Sequence, residues 1–399
     1  MENLTERSIR RTTDFGDRRV CVSPCERYDA AELDRIIEEM SETLGLTRLV
    51  KPGCTVVIKP NLVMRRPPEE ATTTHPEVVA AVIRAVKRRG AGRVIIAESS
   101  GGLYNKPVMT AIYQTCGMTD VCSREGAELN LDFSNVEIKH SHAKLCHQFN
   151  IITPVIQADV LINVAKLKSH SMTGLSGAVK NLFGCVPGLN KPELHCQYPD
   201  PSQFQQMIVD LCTLMRPTIT FVDAIDCMEG DGPTGGSKRH VGAVLGGLNP
   251  FAVDVAACRL ISLDPSGVLM LRHGMERGLC PASLAELELT GDPEPLAVSD
   301  FVRPKAQSSD FLDSVPSFLR PYAEFGEKII APRPVINKDK CVGCGKCAES
   351  CPQHTITVAS KRRKRQARID YSNCIRCYCC HEMCPIRAID IKRVFIWRF

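Results

Sequence analysis

Two matching cysteine runs close the sequence. The first, CVGCGKCAESCP, places Cys341, Cys344, Cys347 and Cys351 ahead of Pro352. The second, CIRCYCCHEMCP, places Cys374, Cys377, Cys380 and Cys384 ahead of Pro385. Both read C-x2-C-x2-C-x3-C-P, the spacing that holds a pair of 4Fe–4S clusters, with the fourth cysteine of each run serving the other cluster. Three thiolates two residues apart let one tight loop wrap three corners of an iron–sulfur cube. The fourth, followed by proline, is expected to begin a helix that crosses to the other cube. Cys341, Cys344, Cys347 and Cys384 then hold one cluster, and Cys374, Cys377, Cys380 and Cys351 the second. A zinc site needs only four ligands, usually as two C-x2-C pairs, and so leaves half of this pattern unexplained. Cys379 fits no ligand slot. It reads as a packed thiol or a reserve ligand.

A second group of chemically capable residues lies upstream, in KLKSHSMTGLSGAVKNLFGCVPGLNKPELH at 166–195. Gly174 and Gly177 allow close backbone approach, and Ser176 offers a hydroxyl. A helix starting near Ser176 is expected to turn free N–H groups toward an anion, with Lys180 one turn along on the same side. His170 and His195 bracket the stretch as candidate proton donors or metal ligands, and Lys180 is a candidate for binding an anionic group or a carbonyl. The competing reading for both histidines is a satisfied structural imidazole. The Walker pattern GxxxxGK[ST] is absent, so this is not a nucleotide-binding P-loop.

These residues need a scaffold, and the flanking sequence supplies one. Apolar runs TVVIK (55–59), VIIAE (94–98), VLINV (160–164), TITFVDAI (218–225) and VGAVLGG (241–247) alternate with amphipathic stretches. In HPEVVAAVIRAVKRRG, Val78, Val79, Val82, Ile83 and Val86 share one helical face, and Gly90 ends it. FQQMIVDLCTLM (204–215) and PFAVDVAACRLISL (250–263) read as further helices. The alternation predicts an α/β domain with a mostly parallel sheet and helices on both faces. Ligands of such sheets bind beyond the carboxyl ends of the strands. Lys59, Asn61, Thr74, His75, Glu98, Lys168 and Asp223 all fall at those ends and are expected to share a polar pocket. Taken singly they have duller roles: Thr74 as a helix cap ahead of Pro76, Glu98 as a partner for loop amides.

Composition divides the chain. Of 399 residues with 21 cysteines, residues 335–399 hold nine cysteines and fourteen Lys and Arg against five Asp and Glu, a net of +9. The remainder nets −4. The expected organisation is an α/β domain over 1–292, a linker or wrap over 293–334, and a small α+β ferredoxin-type domain over 335–399. Phe311, Leu312, Phe318, Leu319, Tyr322 and Phe325 make the linker too apolar for an exposed string. HTITVAS and RAIDIKR each predict a short strand after a cysteine run. The basic KRRKR at 361–365 reads as a solvated hairpin tip, and the terminal VFIWRF, with Trp397, as a segment that docks the small domain. Eight thiolates and two oxidised cores leave the tail about four charges less basic. Without an interleaved aromatic pattern, this argues against nucleic acid. No secretory h-region and no stretch of 18 apolar residues is present, so the expectation is a cytoplasmic protein without a membrane span.

The motifs KPNL (59–62), TTHPEVV (73–79), AESSGG (97–102), KLKSHSMTGLSGAVKNLFG (166–184), MEGDGPTGG (228–236) and AVD (252–254) give the chain a close resemblance to domain-of-unknown-function family 362. The resemblance covers nearly the whole chain. It implies an α/β domain, often fused to a ferredoxin module, in anaerobic prokaryotes, and it implies no particular reaction. A more distant resemblance is to the nickel-pincer lactate racemase family. There, a His is followed ten residues on by a Lys in a G-x-SGG-x-K stretch, and then by a later His. The equivalents are His170, Gly174, Ser176, Gly177, Lys180 and His195. That likeness implies a shared pocket in which Lys180 carries the cofactor, His195 binds nickel and His170 acts as acid or base. The sequence departs from that family with SGAVK for SGGRK, and a further family His lacks a counterpart.

Together these readings predict an iron–sulfur oxidoreductase. Two 4Fe–4S clusters would relay electrons between an electron-transfer protein (ferredoxin, flavodoxin or a reductase) and a small molecule or unidentified cofactor or metal in the α/β pocket. The alternatives are a non-catalytic electron carrier with a docking body, and an assembly or maturation factor that delivers electrons or clusters to a client.

Overall fold

A computed structural model describes residues 9, 11, 13–307, 332–361 and 364–392. The apolar linker residues from Phe311 to Phe325, the centre of the KRRKR run and the terminal VFIWRF lie outside the described residues.

The body is built on one nine-stranded mixed sheet. Its strands are β1 (Arg19–Pro24), β2 (Thr55–Pro60), β3 (Arg93–Ile96), β4 (Glu128–Leu129), β7 (Val160–His170), β8 (Gly174–Ser176), β9 (Ile219–Glu229), β10 (Ser237–Gly247) and β11 (Glu288–Thr290). A separate hairpin is formed by β5 (Asn135–Lys139) and β6 (Gln148–Ile152). The strand order is β11-β1-β10-β9-β7-β2-β3-β4, with β8 folded back on β7. The central run from β9 to β4 is parallel, and β10 pairs antiparallel with both β9 and β1. The sheet is therefore mostly parallel, as the sequence pattern predicts.

Side-chain alternation splits the core between the two faces. Val56, Ile58, Ile162 and Val164 pack with the Ala30–Thr43, Pro76–Arg88 and Met118–Glu125 helices. Val57, Leu161, Ala165 and Val222 pack on the other face with Pro201–Met215 and Pro250–Leu260.

Three local expectations are corrected. The Pro76–Arg88 helix is capped by His75, whose Nδ1 accepts from Glu77 N at 3.2 Å, and not by Thr74. The predicted strand at 160–164 runs on to His170, because β7 pairs with β9 on one side and turns back through β8. The helices of the cysteine runs lie before the fourth cysteine, not after it. They span Lys346–Glu349 and Cys379–Glu382. Beyond each, the chain turns back on the cysteine itself: Thr355 N donates to Cys351 Sγ at 3.3 Å and Ala388 N to Cys384 Sγ at 3.1 Å.

The small module holds two strand pairs, β12 (Arg333–Ile336) with β15 (Ile389–Lys392), and β13 (Ile356–Lys361) with β14 (Lys364–Ile369). Its first strand, β12, begins at Arg333. The first described stretch of the linker, 293–307, lies on the body, where Phe301 is buried and Lys305 pairs with Asp231 at 2.9 Å.

Candidate functional site

A cavity of about 720 Å³ opens between the body and the cysteine-rich module. That is within the usual size range of small-molecule sites. The body contributes Lys59, Asn61, Glu98, Lys168, His170, Ser176, Lys180 and His195, all expected site residues. The module contributes Lys346, Glu349, Cys379, Glu382 and Met383.

The buried groups of the wall fall into two sets. Lys59 Nζ pairs with Glu98 Oε2 at 2.5 Å and also donates to Pro60 O and Asn181 Oδ1. Lys168 Nζ donates to Asn61 Oδ1 at 3.0 Å and Thr72 O at 2.8 Å. Lys191 Nζ ties down Ser99 O, Ser100 O and Val186 O. These lysines are committed. Lys180 is not: it makes no hydrogen bond or ion pair among the described residues, and its Nζ lies 5.1 Å from the Phe183 ring centroid. His195 stacks on Phe204 with ring centroids 4.2 Å apart, and its Nδ1 is buried without a partner. Glu382 Oε1 likewise has no hydrogen-bond partner, although His170 Nε2 lies 3.4 Å away.

His170 Nδ1 accepts from Met172 N and Thr173 N at 3.2 and 3.3 Å. The neutral ring therefore carries its proton on Nε2, which points at Glu382 Oε1 from 3.4 Å. Burial, then the neighbouring Lys180 and Lys168, holds His170 well below the ordinary histidine range, so it is neutral near pH 7. His195 is held down to about 3 by burial and Lys180. Burial lowers Lys168 to about 7, helped by Lys180 and Lys166, and Lys191 to about 7. Burial also lowers Lys180, against the pull of Glu382.

The remaining expected site residues lie elsewhere. Thr74 Oγ1 donates to Val164 O and accepts from Asn61 N, holding the loop that presents Asn61. His75 stacks on Tyr28 at 3.6 Å between ring centroids. Asp223 pairs with Lys166 at 2.9 Å and accepts from Tyr28 Oη and His75 N. Gly174 makes the β7–β8 turn with φ +76°. Gly177 gives room to Asp254, whose Oδ1 lies 2.1 Å from where a Cβ would sit. The Asp254 carboxylate takes the N–H groups of Ala178 and Val179 at 2.6 and 2.9 Å. The expected anion site at this helix start is thus already filled by the protein's own aspartate, and the helix is only four residues long.

Sequence reasoning missed Asn181, Gly184, Lys191, Cys379 and Glu382 as wall residues. Asn181 and Lys191 sit in the dense 166–195 stretch and were legible there as polar groups. Glu382 gives no such signal, because its neighbours in the cavity come from another module.

The eight cluster-pattern cysteines form two separate groups. Cys341, Cys344, Cys347 and Cys384 line one small cavity; Cys351, Cys374, Cys377 and Cys380 line another. Each group takes three thiols from one run and the fourth from the other. The backbone N–H donors at Cys351 and Cys384 suit thiolate ligands. Among the described residues, no three or more His, Cys, Asp or Glu side chains are placed to share a single metal ion. The donor set fits two cubes, each with four thiolates.

Comparison with known proteins identifies both parts. Residues 56–259 match the family described as a domain of unknown function, DUF362, and residues 334–391 match a 4Fe-4S dicluster domain. The chain belongs to the DUF362 family. A curated relative, the thylakoid-associated protein sll1697 of Synechocystis sp., is 31% identical over 72% of this DUF362 chain and 91% of its own length. Two solved structures are similar at 11% identity. The lactate racemase apoprotein of Thermoanaerobacterium thermosaccharolyticum gives a TM-score of 0.38, over 60% of this chain and 55% of that one. A structural-genomics protein from Thermotoga maritima gives 0.31, over 52% and 53%. The DUF362 chain thus spans little more than half the length of either solved structure. Its dicluster domain makes it an iron–sulfur protein suited to electron transfer, and no helix among the described residues is long and apolar enough to cross a membrane.

Proposed function

We propose that this DUF362 protein is an iron–sulfur oxidoreductase acting on a small molecule held between its two modules. Cys341, Cys344, Cys347 and Cys384 hold one 4Fe–4S cluster, and Cys374, Cys377, Cys380 and Cys351 the other. Such clusters supply one-electron steps at potentials set by their surroundings. The observation that carries the reading is the shared wall. Lys59, Lys168, His170 and Lys180 of the body face Cys379, Glu382 and Met383 of the module across a single cavity. A molecule bound there lies against the short Cys379–Glu382 helix, which contains Cys380 and precedes Cys384.

The body's residues have distinct tasks. Lys180 binds the ligand, and neutral His170 offers an Nε2 proton toward Glu382 and the cavity. His195 presents an unprotonated nitrogen in an aromatic cradle. An electron-transfer protein (ferredoxin, flavodoxin or a reductase) exchanges electrons with the exposed side of the module, where Cys344 and Val342 reach solvent. The reducing cytoplasm suits such a protein.

The test is anaerobic isolation followed by iron and sulfide analysis, EPR, and identification of any co-purified small molecule. About eight irons per chain are expected, with reduced-cluster signals that shift when the cavity is filled. Cluster signals indifferent to every cavity ligand would overturn the reading, and a count near four would remove one cluster.

A further inference from the structure

The cavity wall specifies more than a small molecule. Once Lys59 is set against Glu98 and Lys346 against Glu349, three lysines (Lys168, Lys180 and Lys191) face one carboxylate, Glu382. Arg65 adds a further cation, committed only to Thr115 Oγ1. A cavity with a positive surplus in poorly solvated surroundings is stabilised by an anion. Lys168 and Lys191 already spend their protons on carbonyl and amide oxygens. Lys180 alone keeps all its donors for a ligand, and His195, 5% exposed with Nδ1 unpartnered, faces the same space.

The rest of the lining is apolar. Met64, Val108, Ile112 and Met383 are part of it, and so are Leu103 and Leu189, which are 50% and 51% exposed. Two large leucines left half in water beside a cavity are an invitation to an apolar group. An inorganic anion would satisfy Lys180 and leave those leucines wet. A neutral hydrocarbon would cover the leucines and leave the lysines uncompensated.

We infer that the ligand is an amphipathic organic anion, its charged head on Lys180 and its apolar body running out past Leu103 and Leu189. The inference rests on the proposed small-molecule reading of the cavity and names its substrate class.

The test uses full-length, cluster-loaded protein under anaerobic conditions, with binding measured by calorimetry. The probes are octanoate, octyl phosphate, octanamide and acetate. The octyl anions are expected to saturate one site, with octanoate against octyl phosphate telling a carboxylate head from a phosphate one. Octanamide, lacking the charge, and acetate, lacking the body, should each bind about tenfold or more weakly. Lys180→Met should erase the preference for octanoate over octanamide, and Lys180→Arg should keep most of it. Leu189→Asp, at an exposed position that the fold does not need, should cost octanoate about tenfold and leave acetate unchanged. Unchanged cluster EPR in each variant certifies folding. Octanamide binding as tightly as octanoate overturns the inference, as does a preference that survives Lys180→Met or an absence of saturable binding by all four probes. Octanoate binding that leaves the cluster signals unmoved would instead sink the electron-relay reading and keep this one.

Discussion

Two lysines on one strand meet opposite fates. Lys166 and Lys168 lie two residues apart on β7, both buried. Lys166 closes a complete circle: its Nζ meets Asp223 and Tyr28 Oη, each at 2.9 Å, and Asp223 also takes His75 N. Lys168 opens on a cavity where, among the described residues, Lys180 makes no hydrogen bond or ion pair, and His195 Nδ1 and Glu382 Oε1 have no hydrogen-bond partner. Both clusters sit at the carboxyl ends of parallel strands, where α/β sheets place their ligands. Position alone therefore does not mark a site. A buried polar group without a partner costs free energy, so an incomplete cluster points to an occupant, and a complete one to structure.

The largest effect should come from breaking the complete circle. Asp223→Ala strands Lys166 in the core and is expected to cost about 3–5 kcal/mol, read by denaturant unfolding followed by far-UV circular dichroism. Lys180→Met removes an unpaired cation and should leave the unfolding midpoint within about 0.5 kcal/mol or raise it. Equal losses from the two variants would erase the distinction.

Next is Gly184→Ala. A Cβ there would sit 1.9 Å from Glu98 Oε1 and 2.6 Å from Lys59 Nζ. The Lys59–Glu98 pair must shift, at a cost of ~1–3 kcal/mol, together with a measurable loss of ligand affinity. A stable variant with full affinity would show that the pair does not shape the cavity.

A subtler contrast lies in pH. Lys168, held down to about 7, faces Lys166, Lys180, Glu98 and Glu382. An unfolded lysine keeps its proton to about pH 10.4. Between those values the unfolded chain binds more protons, so this group makes stability rise with pH. Anion binding runs the other way, full below about pH 7 and weakening above it. Calorimetric affinity and thermal midpoint, measured across that window for wild type and Lys168→Met, should separate the slopes. Identical profiles in both proteins would exclude Lys168 as the source.

The smallest effect is at the module boundary. Arg387 pairs with Glu70 at 2.6 Å, but both are partly exposed. Arg387→Ala should shift stability by less than about 1 kcal/mol, with ligand affinity unchanged.

Much of this was legible in the sequence because it is periodic. The cysteine spacing foretold which thiols gather, since Cys351 and Cys384 do cross between groups. The strand and helix alternation foretold the sheet, because burial on both faces leaves a near-continuous apolar signature in β2, β7 and β9. The site was legible only in part. His170, Lys180 and His195 crowd one stretch of sequence and line one cavity. Asp254 was not legible, because its partners Ala178 and Val179 lie some 75 residues away. It displaced the anion expected there. Asp223 and His75 were misplaced for the same reason: strand-end position is local, whereas the choice of partner is tertiary. Glu382 was hidden among cysteines whose pattern accounted for that whole segment.

The Cys379–Glu382 helix, which contributes Cys379 and Glu382 to the cavity wall, also contains Cys380 and lies between Cys377 and Cys384, all three proposed as cluster ligands. On the proposed reading, metal and ligand would be coupled through one short element. Coupling of this kind is reciprocal: a filled cavity stabilises the iron-loaded fold, and iron loss releases the ligand. Oxidative damage to the clusters would then empty the pocket as well as stop electron flow. Oxygen sensitivity becomes a binding property of the body, 200 residues upstream in sequence at His170 and Lys180.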